Sequence, residues 1–168
     1  MKPKSPNSVL PVSTPDGIFL ACYSKKGLCG LDFPKKSSGP VQRTLDCEVS
    51  ATVRQWHSTA TAALLDVLAA RKPGAIPPLD LSAGTVFQQQ VWNALRRIPA
   101  GQTFSYGEVA KAIGRPKAVR AVGGACGANP IPVLIPCHRV LAAGGKIGGF
   151  SGGLDWKRTL LARENIGL

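Results

Sequence analysis

The sequence predicts an α/β chain. Residues 1–82 should form an antiparallel sheet with one helix, and residues 83–168 a mostly helical region containing a helix-turn-helix. Three observations carry this. Residues 8–33 alternate short apolar runs with turn residues. Two capping boxes open apolar, helix-periodic stretches in the second half. A Gly-Arg-Pro turn joins two short helical segments there.

In chain order, residues 8–13, 17–23 and 28–33 read as strands, with Asp16-Gly17 as a hairpin signal. Residues 35–40 read as a polar loop. Residues 59–70 are rich in Ala and Leu and read as a helix, stopped by Pro73-Gly74. Pro77-Pro78 opens an extended linker to about Ala83, where the boundary between the halves is placed. Thr85 and Gln88 form the first capping box, and Phe87, Val91, Leu95 and Ile98 follow on one helical face. Pro99-Ala100-Gly101 ends that helix. Ser105 and Glu108 form the second box and open a short helix through Ile113. Gly114-Arg115-Pro116 is a turn, with the proline placed to begin a helix over residues 117–128. Asn129-Pro130 ends the pair, and a last helix covers residues 154–165.

The second helix of the pair is built from Ala, Val, Gly and Cys apart from Lys117 and Arg120. Gly123 and Gly124 each cost about 1 kcal/mol relative to Ala inside a helix. A major-groove reader needs long polar side chains, and this helix has almost none. Close approach to a sugar-phosphate groove accounts for such a face. So does tight packing against another helix.

Composition narrows the function classes. The chain has 168 residues, 44% hydrophobic, and its net charge is +12. Residues 1–82 carry +4 and residues 83–168 carry +8. A basic surface favours phosphate-bearing partners through counterion release. No apolar run approaches the roughly 18 residues of a membrane helix, and the start lacks the apolar region of a signal peptide. No membrane partner is therefore expected, and the expected location is cytoplasmic, with the nucleoid in a bacterium or the nucleus in a eukaryote. The five cysteines at 22, 29, 47, 126 and 137 form no CxxC pair and read as free thiols. Cys22, Cys29, Cys47 and His57 lack regular ligand spacing, so neither a metal nor any other cofactor is expected.

The stretch IPVLIPCHRV, residues 131–140, concentrates the chemistry. Cys137 stands beside His138 and Arg139, and cationic neighbours lower a thiol pKa. Pro136 forces Ile135 into an extended conformation, so Cys137 should sit on a fixed turn.

Residues 84–164 resemble the O6-alkylguanine-DNA alkyltransferases, the methylated-DNA–protein-cysteine methyltransferases. The resemblance is carried by GTVFQQQVWNALRRIPAGQTFSYGEVA, KAVRAVGGACGANP, IPVLIPCHRV and GGFSGGLDWKRTLLARE, in that order. It implies a C-terminal domain of winged helix-turn-helix type. It also implies a monomer that repairs double-stranded DNA containing O6-alkylguanine, and less readily O4-alkylthymine. The base is flipped from the minor-groove side, and the alkyl group passes once and irreversibly to Cys137.

The resemblance also assigns residues. His138 contacts Cys137 through a water, and Glu164 hydrogen-bonds His138, a nucleophile–base–orienter arrangement. Tyr106 serves guanine N3; on its own it reads as an amphipathic tyrosine at a helix start. Asn129 braces the turn before the active-site loop. Arg120 fills the space of the flipped base, with a phosphate contact as its alternative. Lys117, Ala118, Ala121 and Gly123 lie on the DNA-facing helix. Val140, Phe150, Ser151 and Gly152 border the guanine pocket. Phe150 stands where many relatives have tyrosine. Gly152 and Gly153 should leave the pocket wall open to alkyl groups larger than methyl. Two rivals stand beside this reading: a non-catalytic lesion sensor or helix-turn-helix regulator, and a Cys-His thiol hydrolase.

Overall fold

The computed structural model describes residues 8–35 and 49–168. Strands β1 (Ser8–Thr14), β2 (Gly17–Ser24) and β3 (Gly27–Asp32) form an antiparallel sheet in the order β1-β2-β3. Period-two alternation turns Leu10, Val12, Phe19, Ala21 and Tyr23 to one buried face. The hairpin turn is Pro15-Asp16, one residue before the expected pair. Gly17 instead opens β2 at φ 121° opposite Thr14.

Helix α1 (Ala51–Leu68) covers the sheet with Ala60, Ala63, Leu64, Val67 and Leu68. These recur at helical spacing, so one stripe faces the core. The helix begins eight residues before its predicted start. Ser50 caps it by accepting from the Val53 N–H at 3.2 Å. Its first turns carry only Val53 and Trp56 of the apolar stripe, set among Thr52, Arg54, Gln55, His57 and Ser58, a sparser signal than the Ala- and Leu-rich run that follows. Most of the expected loop over 35–40 lies outside the described residues, as does Cys47.

The expected linker is extended but not free. The Leu28 N–H donates to the Pro78 carbonyl, and the Asp80 N–H to the Leu28 carbonyl, both at 2.8 Å. The Leu31 N–H donates to the Pro130 carbonyl at 2.9 Å. The edge of β3 is thus covered by the rest of the chain, which satisfies backbone groups that an open edge exposes.

The second half holds α2 (Val86–Leu95), β4 (Phe104–Ser105), α3 (Tyr106–Ala112), α4 (Val119–Gly127), β5 (Val140–Leu141) and α5 (Leu154–Arg163). Both capping boxes are complete in both directions. Pro116 does not open α4, contrary to expectation. Pro116-Lys117 lies in the turn, and α4 starts two residues later from Ala118 without a side-chain cap. Strand pairing in this half, among the described residues, is the parallel match of β4 with β5. One apolar core runs from the sheet through α1 and α2 to α4. The Asp16–Arg163 ion pair, at 2.6 Å, ties the β1–β2 turn to α5.

Candidate functional site

Cys137 opens a single 3-10 turn, Cys137–Arg139, and is buried. The expectation of a fixed turn holds. Its N–H donates back to the Ile135 carbonyl at 2.7 Å. Asn129 braces it from the end of α4. The Asn129 amide donates to Cys137 Sγ at 3.1 Å and to the Ile135 carbonyl at 2.9 Å. Its Oδ1 accepts from the Ile131 N–H at 3.0 Å. One buried side chain therefore satisfies three groups and sets the thiol's place.

The thiol pKa runs against expectation. Burial pushes it up, with the Asn129 hydrogen bond and the Lys157 charge opposing. The adjacent cations do not offset this burial. The Arg139 guanidinium is committed to Glu164, with Nη2 at 2.8 Å and Nε at 3.0 Å. Burial also lowers the His138 pKa, despite the carboxylate beside it. Adjacency in sequence revealed neither point, because it carries no information about burial.

His138 Nε2 lies 3.0 Å from Glu164 Oε1. Burial works to raise the Glu164 pKa, but hydrogen bonds from His138 and Arg139 bring it down to about 2. An ionised carboxylate only accepts, so a neutral His138 carries its hydrogen on Nε2. Its Nδ1 then holds a lone pair. That atom is buried without a hydrogen-bond partner among the described residues.

A cavity of about 230 Å³ opens onto Cys137, lined by Tyr106, Gly123, Cys126, Gly127, Gly149, Phe150 and Ser151. Burial raises the Tyr106 pKa, so its hydroxyl stays protonated and able to donate. Phe150 lies edge-on to His138, with ring centroids 6.5 Å apart. Two expected pocket residues are placed differently. Gly152 is absent from the lining: a Cβ there would lie 2.7 Å from Phe33 Cδ2, so this glycine admits the ring of the residue that follows β3. Val140 is fully buried outside the lining, and its carbonyl accepts from Lys157 Nζ at 2.6 Å.

Sequence reasoning assigns no role to Lys157 and reads Arg139 only as a cation beside Cys137. Lys157 is fully buried and also donates to the Gly149 carbonyl at 3.1 Å, clasping the strand after Cys137 to the pocket loop. Arg139 donates to the Ile98 carbonyl at 2.7 Å, joining the Cys137 turn to the segment just after α2. A charged residue within an apolar helical period was the available signal for Lys157.

Helix α4 forms one wall of the cavity through Gly123, Cys126 and Gly127. Val122, Ala125 and Cys126 face the core, and Lys117, Arg120, Ala121 and Gly124 are exposed, with Ala118 and Gly123 half-buried. A Cβ at Gly124 would meet nothing within 4 Å, so packing against another helix is excluded there, whereas one at Gly123 would reach the Tyr106 ring of α3 at 4.0 Å. In the N-terminal half, His57 Nδ1 pairs with the Tyr23 hydroxyl at 3.0 Å. Among the described residues no three His, Cys, Asp or Glu side chains gather to hold a metal.

Residues 86–166 match the DNA-binding domain family of 6-O-methylguanine DNA methyltransferase. A methylated-DNA–protein-cysteine methyltransferase of Mycolicibacterium paratuberculosis is 50% identical over 120 residues, which are 70% of this chain and 73% of that protein. The chain belongs to the methylated-DNA–protein-cysteine methyltransferase family. This methyltransferase is also 56% identical over 151 residues to the bifunctional transcriptional activator/DNA repair enzyme Ada of Escherichia coli, covering 88% of its own length and 42% of Ada. In structure it is similar to Mycobacterium tuberculosis OGT solved in complex with DNA. That match has a TM-score of 0.73 and 38% identity, covering 92% of this chain and 90% of the other.

Proposed function

We propose that Cys137 is the alkyl acceptor of this direct-reversal DNA repair protein and that the remaining site residues serve that transfer. The carrying observation is the buried set Asn129–Cys137 and His138–Glu164 at a cavity that also holds Tyr106. The bare Nδ1 of neutral His138 takes the thiol proton, through a bridging water. The thiolate attacks the alkyl carbon, the bond from that carbon to guanine O6 breaks, and a thioether forms. The protonated Tyr106 hydroxyl relieves charge on the leaving guanine at N3. Glu164, held ionised by Arg139, stabilises the imidazolium that forms.

The open face of α4 meets the DNA backbone, with Ala121 and Gly123 on the helix and Lys117 and Ala118 in the turn that leads into it. Arg120 is exposed at its start and enters the stack as the damaged base leaves by the minor groove. Val140 acts through Lys157, which holds it to the pocket loop. Residues 83–168 form the DNA-binding and acceptor domain. Alkyl groups larger than methyl rely on the cavity itself, since Gly152 opens no wall.

Peptide mass spectrometry after mixing with a duplex containing one O6-methylguanine tests this. One methyl group on the Cys137 peptide, at one equivalent per protein and absent in Cys137→Ala, is expected. Lesion binding without methyl gain would replace this reading by the lesion sensor.

A further inference from the structure

Strands β2 and β3 bring together two thiols that the transfer chemistry does not use. Cys22 Sγ and Cys29 Sγ lie 3.6 Å apart. Cys22 is paired with Gly30 across the strands, and the register shifts at Cys22/Tyr23, which lets Cys29 turn its sulfur toward Cys22. The Cys29 thiol donates to Cys22 Sγ and lies 3.3 Å from the Cys22 carbonyl. Both residues are half-buried, so a small reagent reaches them.

We propose that Cys22 and Cys29 are a redox modification site, closed to an intramolecular disulfide by low-molecular-weight disulfides such as oxidised glutathione. A disulfide needs about 2.05 Å between sulfurs. Side-chain rotation closes the gap from 3.6 Å, since the two residues already sit on neighbouring strands. Two features set the order of events. Burial pushes the Cys29 thiol up to about 12, and its S–H is donated to Cys22. Cys22 is therefore the attacking sulfur. Its thiolate displaces one glutathione thiolate and forms a mixed disulfide. Cys29 loses its proton to solvent, attacks Cys22 Sγ and releases the second glutathione. Two electrons leave the protein sulfurs, and one glutathione disulfide becomes two thiols.

The site is connected to the acceptor turn. Leu31, two residues beyond Cys29, donates to the Pro130 carbonyl, and Asn129 beside it braces Cys137. The bond would fix the strand on which that turn rests.

The test uses the whole chain in glutathione buffers of rising oxidised fraction, followed by acid quench, thiol alkylation and peptide mapping. Expected is a tryptic species joining the Cys22 and Cys29 peptides, unalkylated at both and recovered as two alkylated peptides after dithiothreitol. Cys29→Ser should instead trap Cys22 as a glutathione mixed disulfide. Individually alkylated Cys22 and Cys29 in the most oxidising buffer would overturn the proposal. So would a linkage of either to Cys47. No alkylated DNA enters the assay, so its outcome is independent of the acceptor role of Cys137.

Discussion

Replacing Glu164 by Gln should remove an acid-sensitive part of the protein's stability. The carboxylate is buried and accepts from His138, Arg139 and, at 3.2 Å, the Gly101 N–H. Its folded pKa of about 2 lies below the ordinary value of 4.5. That displacement is between two and three powers of ten in proton affinity, or about 3 kcal/mol of stabilisation. The folded pKa is depressed, so this contribution is full above pH 4.5 and is lost as pH falls toward 2. Gln keeps the shape but leaves the Arg139 charge buried and uncompensated, and breaking a buried pair typically costs about 3–5 kcal/mol. Urea unfolding at a series of pH values reads the effect. At pH 7 the variant should unfold at clearly lower urea with an unchanged slope. The gap between wild type and variant should narrow below pH 4.5. A gap of constant size down to pH 3 would refute the reasoning, because the loss would then be packing rather than charge.

Other expectations follow from the same geometry. Asn129→Ala strips the Cys137 sulfur and the Ile131 N–H of partners; transfer should slow sharply, and stability should fall by about 1–3 kcal/mol. Stopped-flow transfer and thermal unfolding read the two effects. Gly124→Ala should raise stability by up to about 1 kcal/mol, since the site is helical and open. The same variant should weaken binding to duplex DNA, because a methyl group then stands on the face offered to the backbone; unchanged affinity would remove α4 from the DNA interface. Gly152→Ala meets the Phe33 ring and should destabilise by about 1–3 kcal/mol, measured by thermal unfolding. The single-turnover rate should stay level down to pH 6.5 and decline below it, because burial lowers the His138 pKa and protonation removes its lone pair.

Much of the molecule was legible along the chain. The strands were found to within a residue or two because alternation and turn residues are local signals. Both capping boxes were legible because a cap is a contact between residues three apart. The start of α1 was not, since Val53 and Trp56 alone carry its apolar stripe through the first turns, among polar residues. In the site, the resemblance of whole motifs points to Cys137, His138, Glu164, Asn129 and Tyr106, and the fold brings them together.

The sequence by itself determined which elements form, where most of them are capped, and which side chains bear the chemistry, because those properties depend on near neighbours and residue type. Tertiary structure alone decided the protonation of the site. Burial raises the Cys137 thiol, against what its cationic sequence neighbours imply, and it lowers the His138 pKa against the pull of the distant Glu164 carboxylate. It also decided the place of Lys157, the closing of Gly152 onto Phe33 and the meeting of Cys22 with Cys29. The physical reason is that desolvation and close packing depend on groups distant in the chain, which no local pattern encodes.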